Sequence, residues 1–334
     1  MKIFVFEYIT GGGLLNGPLC GPLLREGELM LRQLIADLLE VVGVEISLIR
    51  DWRMPVMDDV ALNTVLWVSN AVDFKSKMQQ GISDADAVWV IAPETDEILA
   101  GWCHYIEQQG KLLLTSGSQA VALTADKLQT ANVLLAQQIP VVATEVLQGM
   151  PDFTLGGWVV KPRDGVGCSQ CYLLQNQQDY CCFEKQWHGA GDFIKQPYIV
   201  GEVLSLSALF NNGHAKLLCC NQQCVDVIDK QFRLHGCVVN AVRRQHREFQ
   251  ALIDSIAMAI PGLWGYVGID LIMVGKAIYV LEINPRLTTS YAGISAALKI
   301  NVAQQVVAMA RFETLQIPSD RGQTCMISIL KDNI

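Results

Sequence analysis

Apolar residues come in short runs at positions 3–6, 45–49, 87–91 and 111–115. Runs of that length, bounded by charged or turn-forming residues, predict short buried strands. Between the first two, over residues 26–42, Leu29, Leu34, Leu38 and Val41 fall near one face at helical spacing. Strand, helix, strand in this order predicts a small parallel α/β unit over the first third of the chain. After Thr115 the alternation stops. A helix over about residues 125–138, with Thr124 as its N-cap, gives way to strands and glycine-rich turns. From Lys195 onward there are β-forming runs at 198–210, 215–219 and 223–228, a helix near 247–260, and paired strands at 265–274 and 277–283. These predict an antiparallel-rich α+β unit, closed by a helix over 301–311 that Asn301 caps. The pattern changes divide the chain into residues 1–115, 116–194 and 195–334, with no repeat or Pro-rich linker at either boundary.

The length of 334 residues agrees with two or three compact units. A formal charge of -8 offers no concentrated basic face, so nucleic acid and anionic membranes are not expected partners and small metabolites are. The 11 cysteines include the pairs Cys181-Cys182 and Cys219-Cys220 and lie in apolar stretches, which reads as reduced, buried thiols in a cytosolic protein. The opening strand is broken by Glu7, and no segment approaches the ~20 apolar residues of a membrane span. A soluble, cytoplasmic protein is expected.

The strongest chemical signal is Val280-Leu281-Glu282-Ile283-Asn284-Pro285-Arg286. In a strand, Glu282 and Asn284 share a face about 7 Å apart, and two oxygen ligands so placed suit a hard cation such as Mg²⁺. The preceding strand carries a single carboxylate, Asp270. A hairpin turning at residues 275–277 sets Asp270 opposite Glu282, whereas an even loop without a bulge sends them to opposite faces; a metal site therefore requires an odd loop. The plainer alternative, edge-strand carboxylates facing water, is disfavoured by three oxygen ligands converging beside Arg286. A second signal is Lys161-Pro-Arg-Asp-Gly165-Val-Gly167-Cys-Ser169, where a strand delivers a lysine and two glycines let backbone N–H groups approach phosphate. Alone it is equally a plain hairpin. Neither common nucleotide motif is present: Gly-x-x-x-x-Gly-Lys-Ser/Thr is absent, and Asn16 stands where Gly-x-Gly-x-x-Gly needs its third glycine. Lys127, by itself, is an ordinary solvated helix residue.

Taken in order, Lys127 in an Asp-Lys helix start, Lys161 before a glycine loop, Gln196-Pro-Tyr198-Ile199-Val-Gly201-Glu202, then Asp270, Glu282, Asn284 and Arg286 resemble the signature of the ATP-grasp superfamily over about residues 116–310. The resemblance implies an ATP-grasp fold, mixed α/β and α+β, behind an N-terminal parallel α/β (pre-ATP-grasp) domain that completes the substrate site. It implies that Lys127 and Lys161 contact the phosphates of ATP, that the loop with Gly165, Gly167 and Ser169 covers them, and that Gln196, Tyr198 and Ile199 line the adenine slot. Asp270, Glu282 and Asn284 would hold Mg²⁺, with Mn²⁺ able to substitute, and Arg286 would join Lys161 as catalytic at the transferred phosphoryl group. Gln196 and Val203 stand where the family has Glu, so Glu202 is the candidate ribose ligand in their place. Val166 and Cys168 make the phosphate loop poorer in glycine than in many relatives.

Two further segments, Phe6-Glu7-Tyr8-Ile9-Thr10-Gly11-Gly12-Gly13 and Arg286-Leu287-Thr288-Thr289-Ser290-Tyr291, resemble the tyramine:glutamate ligase family of methanofuran biosynthesis and one-carbon metabolism. That resemblance implies a small carboxylate and an amine as substrates, joined through an acyl phosphate, and allows a homodimer. The Thr10 to Gly13 turn is either an acceptor for a carboxylate or a loop that needs glycine for its backbone. Glu7 and Glu94 are the guesses for an amine base; His188, His214 and His235 read as loop or surface residues. A small-molecule kinase on the same fold would favour clustered basic residues, and Arg243-Arg244 with Arg247 is the only cluster. A scaffold without catalysis has no need of the full oxygen set.

Overall fold

In a computed structural model describing residues 1–57, 62–154, 156–187, 192–315, 317 and 322–329, the first unit comprises β1 (Lys2–Glu7), α1 (Pro22–Leu39), β2 (Glu45–Asp51), β3 (Thr64–Val68), α2 (Ala71–Asp84), β4 (Ala87–Ile91), α3 (Ile98–Gln108) and β5 (Leu112–Leu113). Its strands pair in parallel in the order β3-β2-β1-β4-β5. β1 and β4 are covered on both faces, which is why their sequences are continuous apolar runs rather than alternating ones. Pro22 opens α1 at a position where its missing N–H is harmless, and Asn70 caps α2 by accepting from the N–H groups of Val72 and Asp73. The strand order reverses between β1 and β4. Their carboxyl ends therefore bound the crevice where open α/β sheets take ligands, and Glu7 and Glu94 stand at that edge.

The second unit holds α4 (Ser118–Ala125), α5 (Lys127–Ala136), β6 (Glu145–Val146), β7 (Trp158–Pro162), β8 (Tyr172–Leu174), α6 (Gln177–Trp187) and β9 (Phe193–Pro197). The helix expected over about residues 125–138 is α5; α4, which precedes it and meets it at Asp126, was not expected. Thr124 is not the N-cap: its hydroxyl donates back to the Ala120 carbonyl at 2.8 Å, inside α4. Asp126 caps α5 instead, accepting from Leu128 N–H at 3.1 Å and Gln129 N–H at 3.0 Å, where a carboxylate also suits the positive helix end. β9 straddles the boundary read at residue 195 and pairs along its length with β7.

The third unit holds β10 (Glu202–Asn211), β11 (His214–Ile228), β12 (Gln231–Val239), α7 (His246–Ala259), β13 (Trp264–Val274), β14 (Ala277–Asn284), α8 (Tyr291–Leu298), α9 (Val302–Ala310) and β15 (Cys325–Ser328). The two runs at 215–219 and 223–228 are one strand, β11. Second and third units share one sheet, ordered β14-β13-β10-β11-β12-β8-β7-β9-β6, with β15 on β12. Asn301 caps α9 as expected, accepting from Gln304 N–H. All 11 cysteines are free. Among the described residues no helix is long and apolar enough to cross a membrane.

α2 and α3 cover one face of the parallel sheet, packing Met78, Ile82, Leu99 and Cys103 on Phe4, Phe6, Val88 and Val90. The other face carries α1, whose Leu31, Leu34, Ile35 and Leu38 share a core with Ile294 of α8 and Val302 and Val306 of α9. First and third units are thus joined by apolar packing. Within that joint Asp37 accepts from the Tyr291 hydroxyl at 2.6 Å and from Gln33 at 2.7 Å. Burial raises its carboxyl from the usual 3.8 to about 6, and the two donors only partly oppose it. Because the folded chain holds this proton more tightly than the unfolded one, the stability it contributes is present below pH 4 and lost as pH rises through 6. The gap corresponds to about 3 kcal/mol. In thermal unfolding, Asp37→Asn should gain on the parent chain as pH rises from 4 to 7; a difference independent of pH would contradict the assignment.

Candidate active site

The site begins at the β13 to β14 hairpin. Its loop is Gly275-Lys276, an even count, so the odd loop expected from the metal argument is not there. Parity is restored by a bulge: Leu271 faces Val280, then the register shifts at Leu281, and Asp270 faces Glu282 and Gly268 faces Asn284. The extra residue, Leu281, lines the larger cavity described below.

Asp270, Glu282 and Asn284 converge. Asn284 Nδ2 donates to Asp270 Oδ2 at 3.2 Å, and Gln223 Nε2 donates to Asp270 Oδ1 at 2.7 Å. Lys161 Nζ lies 3.2 Å and Lys127 Nζ 3.7 Å from Glu282 Oε2. Lys161 arrives on β7, whereas Lys127 is the first residue of α5 and also donates to the Gly165 carbonyl. Burial and the charge of Glu282 push Asp270 up to about 7. Burial acts the same way on Glu282, but the charges of Lys161 and Lys127 override it and hold that carboxyl down, to about 2. A divalent ion beside Asp270 would favour its ionised form. The donors, two carboxylates and an amide, fit Mg²⁺, which keeps several waters and shares phosphate oxygens instead of demanding a full protein cage. Among the described residues no cluster of three His, Cys, Asp or Glu residues is arranged to hold a metal.

A cavity of about 340 Å³ lies between the second and third units. Lys127, Lys161, Gly165, Ser169, Gln196, Tyr198 and Ile199 all line it, with Val142, Val159, Val203, Phe232, Ile272 and Leu281 as apolar walls. The cavity carries two lysines and apolar walls. Gln196 is buried and donates to Thr144 Oγ1 at 2.9 Å. Glu202 is not brought here. Strand alternation along β10 turns Val203 to the cavity and sends Glu202 to the exposed face, where both its oxygens take the Arg244 guanidinium.

A second, smaller cavity of about 80 Å³ adjoins the first across Asp270 and Glu282, which line both. Gly167 belongs to this one, together with Asn284, Arg286, Ser205, Thr288, Thr289, Ser290 and Glu26. Arg286 donates through Nε at 3.0 Å and Nη2 at 2.9 Å to Glu94 Oε2, and through Nη1 to the Leu287 carbonyl. A hydroxyl network supports the Thr288 to Ser290 segment: Tyr266 lies 2.9 Å from Ser207, 3.0 Å from Thr288 and 3.2 Å from Ser290. Glu26 and these hydroxyls had no assigned role in the sequence. Glu26 looks like any polar residue on α1, and its partners lie more than 250 positions away.

The glycine-rich turn is not an open anion site. Glu7 accepts from Ile9 N–H at 3.1 Å, Thr10 N–H at 2.7 Å and the Thr10 hydroxyl at 2.6 Å, so the chain's own carboxylate takes these donors. Glycine is needed for packing: a Cβ on Gly13 would stand 2.5 Å from the Tyr8 ring, and Gly12 has φ of 106°. His214 and His235 line neither cavity, and His188 lies outside the described residues.

With this geometry in place, comparison with known proteins is direct. A family model described as an ATP-grasp domain matches residues 124–290, and one described as a pre ATP-grasp 3 domain matches residues 44–121. The chain is 26% identical over 315 residues to the tyramine–L-glutamate ligase of Methanocaldococcus jannaschii, covering 94% of this chain and 91% of that one. For the enzyme of the same name from Methanocaldococcus fervens the identity is 26% over 318 residues, covering 94% and 95%. Among solved structures, an ATP-grasp superfamily protein from Archaeoglobus fulgidus superposes with a TM-score of 0.68 at 20% identity, covering 98% of this chain and 99% of that one. Biotin carboxylase from Campylobacter jejuni, in complex with beta-gamma-ATP, gives 0.72 at 14% identity, covering 94% and 72%. These superpositions establish the fold.

Proposed function

We propose, because the chain belongs to the ATP-grasp family, that it is an ATP-dependent ligase that activates a carboxylate as an acyl phosphate and passes the acyl group to an amine. One observation carries this most directly: Asp270 and Glu282 form the wall shared by the cavity that Lys127 and Lys161 line and a small cavity holding Arg286. Phosphoryl transfer between two substrates requires such an arrangement, with the charged oxygens gathered where the two meet.

Lys127 and Lys161 would hold the phosphates of ATP, and the loop through Gly165 and Ser169 would cover them. Asp270, Glu282 and Asn284 would hold Mg²⁺, or Mn²⁺ in its place. When bound, the ion neutralises charge that builds on the transferred phosphoryl group and the leaving oxygen. The donor carboxylate would sit in the second cavity, where Arg286, fixed by Glu94, stabilises first the phosphoryl group and then the oxyanion left by amine attack.

For the substrates we propose the side-chain carboxylate of L-glutamate and the amine of tyramine, giving γ-glutamyltyramine, ADP and phosphate for a methanofuran-type cofactor. The support is the name shared by the two curated relatives and the segments 6–13 and 286–291. The free cysteines favour a reducing cytoplasm as its setting. ADP release should be measured against a panel of carboxylates, amines and alcohols. It should require a carboxylate and a divalent ion, and rise further with an amine. ADP release driven by an alcohol, with a phosphorylated alcohol as product, would make the protein a kinase.

A further inference from the structure

Three carboxylates of the first unit lie near the second cavity or at the sheet edge beside it, and one of them lines it. Glu7 is hydrogen-bonded to its own turn through both oxygens, and Glu94 holds Arg286 through Oε2 while its Oε1 is enclosed in protein without a partner among the described residues; neither lines either of the two cavities. Glu26 differs. It reaches from α1 into the second cavity, its Oε2 is held by the Thr289 hydroxyl at 2.9 Å, and its Oε1 accepts no hydrogen bond from the described residues. That free oxygen faces the phosphate loop, 4.0 Å from where a Cβ on Gly167 would stand. Arg286 does not satisfy it, because the guanidinium is directed at Glu94 and the Leu287 carbonyl.

A half-buried carboxylate that lines a cavity with one oxygen free is a ready acceptor for a cationic hydrogen-bond donor. The ligase function proposed above supplies one, since its acceptor amine arrives protonated. Resting on that function, we propose that Glu26 receives the acceptor: it binds the primary ammonium group and takes one of its protons as the nitrogen attacks the acyl phosphate. The freed lone pair forms the bond to the acyl carbon, and the bond from that carbon to the phosphate oxygen breaks. A second N–H proton leaves with the phosphate as hydrogen phosphate, the third stays on the amide, and Glu26 returns its proton to solvent. Thr289 is the positioning residue for this carboxylate. Burial raises the Glu26 carboxyl, against the opposing hydrogen bond from Thr289 and the charges of Arg286 and Arg25, and a raised carboxyl is the better proton acceptor.

The test separates acyl activation from amine attack. Parent chain and Glu26→Gln are given ATP, Mg²⁺ and glutamate with either tyramine or hydroxylamine, which is uncharged at neutral pH and traps acyl phosphates as hydroxamates. In Glu26→Gln, kcat/KM for tyramine should fall about 10²- to 10³-fold, the scale of general-base catalysis, with the KM for ATP unchanged. Hydroxamate formation should fall less than about threefold, because the neutral nucleophile needs no proton acceptor. Should Glu26→Gln not fold, Glu26→Asp supports the same comparison with the carboxylate withdrawn by one methylene. Normal amide synthesis by the variant, or parallel loss of amide and hydroxamate, overturns the assignment of Glu26 alone. A parent chain that makes no hydroxamate with any carboxylate overturns the ligase function as well.

Discussion

Glu282→Ala should abolish ATP turnover, by at least about 10³-fold, while the chain still unfolds cooperatively. Removing one preorganised electrostatic partner from a site of charge transfer typically costs 10²- to 10³-fold. Glu282 is more than one partner. It faces Asp270 across the bulged strand pair, lies within reach of Lys161 and Lys127, and lines both cavities. Its loss would leave a bound divalent ion with Asp270 and Asn284 alone and would leave both lysines without their carboxylate. The fold should tolerate this because Asp270, relieved of its charged neighbour, can ionise and become the counterion, and Lys127 keeps the Gly165 carbonyl. ADP release and circular dichroism on the same sample check both halves. Full amide synthesis by the variant would remove Glu282 from the site.

Arg286→Ala should separate turnover from nucleotide binding. Arg286 lines the second cavity and not the first, so the KM for ATP should change little while kcat falls about 10²- to 10³-fold. Stability should fall too, because Glu94 is 4% exposed and would lose its only counterion among the described residues. Breaking a buried pair from one side costs about 3–5 kcal/mol. Adding Glu94→Gln removes the orphaned charge, so the double variant should recover most of the lost thermal stability and none of the turnover. If the double variant regained activity, Arg286 would be a structural partner of Glu94 and nothing more.

What the sequence revealed follows from how local each signal is. β1, β2 and β4 were legible because burial on two faces writes them as continuous apolar runs. β3 was not, because most of its residues are only half-buried and its apolar content merges with the neighbouring loop. α4 was missed because its eight residues, Ser118–Ala125, carry little apolar periodicity at helical spacing. The convergence of Asp270 and Glu282 could be inferred from the chemistry they share. The way it is achieved could not, since the bulge at Leu281 has no local signature and the hairpin loop alone predicts the opposite faces. Glu202 lies outside the cavity for a related reason: one step along β10 changes the face, and Val203 holds the cavity position. Glu26 lay beyond any local pattern, because Thr289, which orients it, stands 263 positions away.

The most direct test of ligase chemistry follows one oxygen atom. The chain is incubated with ATP, Mg²⁺, tyramine and glutamate carrying ¹⁸O in its side-chain carboxylate, and the products are weighed by mass spectrometry. An acyl phosphate intermediate predicts ADP, an amide that has lost one labelled oxygen, and inorganic phosphate that has gained it. Unlabelled phosphate alongside fully labelled glutamate, or AMP in place of ADP, would contradict it.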